Sequence, residues 1–554
     1  MLQLNAKLRA LIAKLWDRFW SGGISNPLSA IEQITYLLFM RQIDDLDLKR
    51  EQDAEFTGDS YTSRFSGEYF LPNDRSRIEE MEKPRVGETA SQKKTREAEA
   101  KSERKRLAID KGTLRWSHFR QMKADEMLPH VQQKVFPFIK ELNGDGSNFA
   151  KHMANAVFII PSANLLQGAV QIIEEIFVEI ERDAKEEGHL FQDIQGDVYE
   201  MLLNEISSAG KNGQFRTPRH IIKLISELAN PQLGHRICDP ACGTAGFLLD
   251  AYQYIVTQLA QKKSKKQQFQ PDEDGFIRTS VSGQLDQNNK DILEQGLFGF
   301  DFDSTMVRLA LMNLMMHGID NPHVDYQDTL SKSFTEEAKY DIVMANPPFT
   351  GSIDKGDINE SLTLKTTKTE LLFTERIFTL LRTGGTAGII VPQGVLFGAA
   401  NAFVEARKKL VEEAELKAVI SLPSGVFKPY AGVATAILVF TRGGKTQNTW
   451  FYNLTNDGMT LDDRRQRVVG SELPDVVAQW NARNPNEPGD RKSNCFFVPV
   501  EEIREKLYDL SFNRYGKVEH DETEHEDPKS ILQTLATLED KIRAGIVELQ
   551  EILG

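Results

Sequence analysis

"RICDPACGTAGFLLDAY", Arg236 to Tyr252, runs from a short apolar strand through a tight turn into an amphipathic helix. Gly243 and Gly246 allow close backbone approach to a ligand. Asp239 stands at the strand's carboxyl end, where open α/β sheets bind cofactors. The turn reads D-P-A-C-G-T-A-G and so lacks the dinucleotide fingerprint G-x-G-x-x-G. Alone, it fits either a cofactor turn or a plain strand-to-helix connection.

Downstream the same alternation recurs. "GLFGFDFD", "YDIVMANPP", "TAGIIVPQG", "LKAVISLP" and "ATAILVFTR" each read as a strand, with amphipathic helices between most of them. This predicts an α/β fold with a mostly parallel, doubly wound sheet. A polar insert, Gln261 to Asp286, reads as a surface loop. Upstream, Leu8, Leu11, Ile12, Leu15 and Phe19 recur at helical spacing, as do Ile31, Ile34, Leu37 and Leu38. The expected organisation is a helical N-terminal domain over 1–165, the α/β domain over 166–455, and a C-terminal extension over 456–515. An acidic linker and a final helix fill 516–554. In that helix Ile531, Leu535, Leu538, Ile542, Leu549 and Ile552 form an apolar seam, which predicts docking on another helix of this chain or of a partner.

Composition narrows the functions. A net charge of −14 over 554 residues does not suit a chain that grips nucleic acid unaided. Lys83 to Lys123, however, carries 13 Lys/Arg against 5 Asp/Glu, which reads as a solvated helical face or a phosphate-contacting arm. The three cysteines do not make a disulfide scaffold, and Cys238 and Cys242 lack a second Cys/His pair for zinc; no metal is expected. No apolar run approaches the roughly 20 residues that span a bilayer. The first residues lack a signal-peptide core, so a cytoplasmic location and no membrane contact are expected.

The chemistry concentrates in "YDIVMANPPFTG", Tyr340 to Gly351. An apolar strand stops at Asn346-Pro347-Pro348-Phe349, where two prolines end strand pairing and hold the backbone extended. An exocyclic amino group on a nucleobase is a poor nucleophile because its lone pair is delocalised into the ring. Two acceptors, the Asn346 side-chain carbonyl and the Pro347 main-chain carbonyl, can localise that lone pair. Phe349 supplies a ring against which a flipped base can stack. At the preceding strand end, Asp301, with Asp303 as second choice, can accept hydrogen bonds from ribose hydroxyls. Asp328, in "DYQDTL", reads either as an acceptor for an adenine amino group or as a turn aspartate.

"GQFRTPRHI" (Gly213 to Ile221), "DPACGTAGF" (Asp239 to Phe247) and "NPPF" stand in the order found in amino-methylating DNA methyltransferases of the gamma arrangement. More closely, the chain resembles the modification subunit of type I restriction–modification systems. The resemblance implies a Rossmann-like, S-adenosylmethionine-dependent methyltransferase domain, with S-adenosyl-L-methionine as methyl donor and adenine N6 in DNA as target. By matching motif, it implies that Gln214, Phe215, Arg216, Thr217, Pro218 and Arg219 serve the methionine end of the cofactor. Thr244, Ala245 and Gly246 line the turn beside Asp239 and Gly243, Asp301 holds the ribose and Asp328 the adenine. Catalysis falls to Asn346, Pro347, Pro348 and Phe349, and Phe427 matches a second base-contacting aromatic. Two departures stand out: relatives often carry Glu in place of Asp301, and Cys242 occupies a turn position where a small non-thiol residue is common. The implied partners are DNA, a specificity subunit, a second copy of the modification subunit, and a restriction/translocase subunit.

The sequence supports this division of labour. The only "GKT" lacks the P-loop glycine, because Val439 stands there, and little length remains beyond Phe440 for a recognition domain. Methyl transfer from a sulfonium needs orientation and acceptors rather than a metal or a covalent adduct. The sequence leaves two alternatives open: cytosine N4 methylation, which poses the same chemical problem, and a binding module that has the fold without turnover.

Overall fold

Nine strands build one sheet: β1 (Ile237–Asp239), β2 (Leu297–Asp301), β3 (His323–Tyr326), β4 (Tyr340–Ala345), β5 (Leu381–Pro392), β6 (Ala414–Leu422), β7 (Thr435–Arg442), β8 (Asn448–Asn453) and β9 (Cys495–Pro499). They are seen in a computed structural model that describes residues 6–144, 146–187, 217–263, 269–279, 285–429, 431–516, 533 and 536–546. The sheet order is β9-β8-β6-β7-β5-β4-β1-β2-β3. From β5 through β4, β1 and β2 to β3 every pairing is parallel. β7 runs antiparallel between β5 and β6, and β9 is antiparallel to β8.

The period-2 geometry of a strand sends alternate side chains to opposite faces. In β4, Ile342 and Met344 enter one core, while Val343 and Ala345 enter the other. A run buried on both sides is what a central parallel strand requires. The first core holds α6 (Arg219–Ala229), α7 (Gly246–Lys263) and α8 (Ser304–Met316); the second holds α9 (Thr369–Leu380) and α10 (Asn401–Glu412). The sheet is therefore doubly wound, and strand order reverses between β1 and β4. On β5, Gly388 admits α6: a Cβ there would lie 2.7 Å from Ile225 Cγ2.

The N-terminal region is helical. α1 (Ala6–Ser21) packs on α5 (Ala163–Glu187), and α2 (Pro27–Thr57) packs on α8. α2 starts at Asn26, whose side chain accepts from Ser29 N, with Pro27 at the first position, and ends at Gly58 in the left-handed region. Arg308 Nε of α8 donates to Glu32 Oε1 of α2 at 2.6 Å. Asn148 Nδ2 donates to the Val324 carbonyl at 2.8 Å, which covers part of the open edge of β3. The basic segment forms α4 (Ala90–Leu107), paired with α3 (Pro72–Glu82). Several of its cations are consumed internally: Arg96 forks onto Glu88, and Arg115 gathers Asp44, Asp47 and Glu51. Among the described residues no helix is long and apolar enough to cross a membrane.

Two expectations change. Residues 269–279 of the polar insert are not a free surface loop. Arg278 is buried against Asp250 and Glu227, Lys223 pairs with Asp272 and Asp274, and Phe276 is buried. Charges that read as solvated are matched by charges on α6 and α7. The sheet also runs beyond 455, where the α/β domain was expected to end, because Cys495–Pro499 extends it as β9. Within the final helix, Ile531, Leu535, Leu549 and Ile552 lie outside the described residues; over 536–546, Leu538, Ile542 and Ile546 are exposed.

Candidate active site

The carboxyl ends of β4, β1, β2 and β3 lie side by side, and the reversal of strand order falls between the first two. Connections leave such a point in opposite directions and open a crevice. The turn after β1 fills one side of it. Gly243 (φ 51°) and Ala245 (φ 65°) both take left-handed backbone, and Ala245 N donates to the Cys242 carbonyl at 2.7 Å. Ala245 has no exposed surface, so its strained conformation is held by full enclosure. A Cβ on Gly246 would sit 3.0 Å from Ile222 Cδ1, so the turn rests directly on α6. The Thr244 carbonyl accepts from Asn313 Nδ2 at 2.8 Å. Cys242 has a packing role: its Sγ would lie 3.1 Å from a Cβ at Gly299, and it fills the space that glycine leaves.

The two aspartates of "GFDFD" do different work. Asp301 Oδ2 accepts from Gly243 N and Oδ1 from Asp303 N, each at 2.9 Å, so its carboxylate joins the β2 end to the β1 turn. Asp303 caps α8 through Oδ1, which accepts from Thr305 N and Met306 N. Asp239 is buried, its Oδ1 accepting from Ala241 N at 3.1 Å. Burial, with the Asp301 charge nearby, pushes its carboxyl up to about 8. Burial also raises Asp301. Asp328 is exposed and its Oδ1 accepts from Leu330 N at 2.9 Å, a turn geometry. Thr217 is buried, Pro218 precedes α6, and Arg219 opens it; Gln214, Phe215 and Arg216 lie outside the described residues.

Asn346 follows β4 directly. Its Oδ1 and Nδ2 are both buried, and neither has a hydrogen-bond partner. An unsatisfied buried polar group costs about 1–3 kcal/mol, so such an amide is a site left open for something else. Pro347 is buried and Pro348 half-buried. Phe349 meets Phe427 edge to face, with centroids 5.2 Å apart and planes at 90°; the rings are 3% and 0% exposed. Phe427 comes from the 423–434 connection between antiparallel β6 and β7, which places it at the edge of the sheet where β4 ends.

Three neighbours were not legible as site residues. Phe302, directly after Asp301, is 67% exposed and presents an aromatic face beside the crevice. Thr369 Oγ1 and Glu370 Oε2 are buried without partners at the start of α9, and Thr369 N donates to the Gly351 carbonyl of the loop after Phe349. An aromatic following an acidic strand end is a signal that could have found Phe302. Thr369 and Glu370 carry no motif and meet the loop only through the fold.

These residues fit a cationic adenosyl cofactor. Burial raises the proton affinity of both carboxylates, and the Asp301 charge raises that of Asp239 further, which suits a ligand bearing positive charge. The left-handed turn of small residues permits close backbone approach, and Phe302 can cover a purine.

The family model "N-6 DNA Methylase" matches residues 191–526, and "HsdM N-terminal domain" matches 8–173. The type I restriction enzyme EcoEI methylase subunit of Escherichia coli is 28% identical over 442 residues, 78% of this chain and 83% of that protein. A chain from a structural study of type I R-M complex assembly and conformational transition is 26% identical, with a TM-score of 0.61 and 99% of each chain covered. The methyltransferase subunit of a type I restriction-modification system from Streptococcus thermophilus shares the fold: TM-score 0.60, 19% identity, 92% of this chain and 100% of that one covered.

Proposed function

Because this chain belongs to the N-6 DNA methylase family, we propose that it methylates adenine N6 in DNA through the crevice at β4 and β1, as the modification subunit of a type I complex. The observation that carries this reading is the orphaned Asn346 amide, buried at a strand end and followed by two prolines.

S-adenosyl-L-methionine, when bound, supplies a methyl group on a sulfonium. Thr217, Pro218 and Arg219, the turn Gly243 to Gly246, Asp239, Asp301 and Asp328 would hold it. On the other side, Asn346 Oδ1 and the Pro347 carbonyl accept hydrogen bonds from the two N–H groups of N6. Both acceptors then draw the lone pair out of the ring and aim it at the electrophile. The prolines hold that pair of directions, so little reorganisation is needed at the moment of transfer. Phe349 and Phe427 pack against a flipped base, and since both rings are buried, its entry requires their edge-to-face contact to open. Family membership favours adenine over cytosine as the target and speaks against a module without turnover.

The partners we propose are DNA, a specificity subunit, a second copy of this chain and a restriction/translocase subunit. The exposed Leu538, Ile542 and Ile546 recur every fourth residue on the final helix, which suits docking on a partner helix. Nucleoside mass spectrometry on DNA from methylation-free cells tests the proposal. N6-methyladenine should appear when the chain is expressed with its partner subunits and be absent from the chain alone. N4-methylcytosine, or no methylated base from the assembled complex, would overturn it.

A further inference from the structure

The chain from Asp457 to Val468 folds into a small hairpin. Thr460 N donates to the Gln466 carbonyl at 2.7 Å, Val468 N to the Gly458 carbonyl at 2.9 Å, and Met459 bridges Arg467. Its two sides touch two different parts of the crevice.

One side grips α6. His220 lies three residues after Thr217, is 4% exposed, and its Nε2 hydrogen-bonds Asp457 Oδ2 at 2.9 Å. Asp457 is 2% exposed and also receives Arg465 Nη2 and the Met459 N–H. One turn along α6, Lys223 holds Asp272 and Asp274, and Arg467 of the hairpin reaches the same Asp274 at 2.8 Å. α6 has no side-chain cap hydrogen bond, and the buried His220 and Lys223 tie its first turns to the hairpin and to Asp272 and Asp274.

The other side touches the 423–434 connection. Gly425 has φ +98°, and a Cβ there would lie 2.6 Å from the Leu461 carbonyl oxygen. Lys428 Nζ stands 3.5 Å from Asp463 Oδ1. Between these two contacts lies Phe427, packed on Phe349.

We propose that the Asp457–Val468 hairpin is a strap coupling the cofactor segment to the target-base pocket, with Asp457 as its positioning residue. Filling the cofactor site fixes α6, α6 fixes Asp457, and the hairpin sets the loop that must yield when a base enters. This rests on the proposed roles of Thr217–Arg219 and of Phe349 with Phe427. Most of the hairpin from Leu461 to Val468 is exposed, but its base is pinned by the buried Asp457 with His220 and Arg465, and that anchor carries the coupling.

The test uses the reconstituted complex on duplex DNA with 2-aminopurine at the target adenine, and S-adenosylhomocysteine as the cofactor-site probe. Asp457→Asn should weaken the probe about fivefold or more. Even at saturation it should cut the probe-dependent fluorescence gain by at least threefold. Gly425→Ala should leave probe affinity without DNA within about twofold, yet cut the same gain. The double variant should be no worse than the worse single one, since both break one link. Asp463→Lys, at an exposed position where a substitution changes stability little, should reduce the gain in part. A gain that survives Asp457→Asn at saturation, or additive losses in the double variant, would overturn the strap alone. No gain in the wild-type complex would overturn the base-pocket reading and the strap with it.

Discussion

On the proposed mechanism, Asn346→Ala removes an acceptor whose partner arrives with the target base. Transfer should fall by about 10²–10³-fold or more, as when a single preorganised hydrogen-bonding group is removed, with cofactor affinity within about twofold. Single-turnover transfer and calorimetric titration separate the two. Asp239 gives a second test. Its carboxyl is raised to about 8 in the folded chain, against about 4 unfolded. The folded state therefore holds the extra proton: the stabilisation is full below pH 4 and is lost as pH rises through 8. A cationic cofactor favours the ionised carboxylate, so binding at pH 7 should release close to one proton, and affinity should rise up to pH 8. Calorimetry in buffers of different ionisation enthalpy counts that proton, and Asp239→Asn should abolish it. At this scale much was legible, since Asp239, Gly243, Asp301 and Asn346 announce themselves by residue type at a strand end. Thr369, Glu370 and the strap's Asp457 were not, because each reaches the crevice through packing between distant segments.

Arg278 shows how an element can be misread. Sequence places it in a polar, lysine-rich insert, yet it lies between Asp250 of α7 and Glu227 of α6. Arg278→Ala leaves buried carboxylates uncompensated and should cost about 3–5 kcal/mol in urea unfolding. Adding Asp250→Asn should recover part of that loss, which shows that the unpaired charge carries the penalty. Strands β1, β2 and β4 to β7 were readable as apolar runs. β8 and β9 were missed although "NTWFYN" and "CFFVP" are no shorter than β1 and β2; they lie beside each other and β6, a pairing set by the fold and not by a local pattern. The helical period of α1 and α2 was plain. What the sequence left open was their landing place, which depends on pairs such as Arg308 with Glu32.

Across the whole molecule, the acidic balance and the exposed Leu538, Ile542 and Ile546 suit the proposed docking on partner subunits. The N-terminal helices have a further consequence for the chain on its own. β3 is the last strand of the sheet, and its outward row of backbone groups would pair with any passing strand. Asn148 occupies the Val324 carbonyl, and His152 sits 3.2 Å from Asp325 on the same rim. Those helices thus act as a guard against self-templating. A fragment that begins at Thr217 should assemble through its bare edge, seen as a concentration-dependent rise in sedimentation coefficient. The same fragment supplied with residues 6–187 as a separate chain should stay dispersed. A genetic truncation there would then produce a protein lost to aggregation before its chemistry could be assayed, although every residue of the crevice described after Thr217 remains in place.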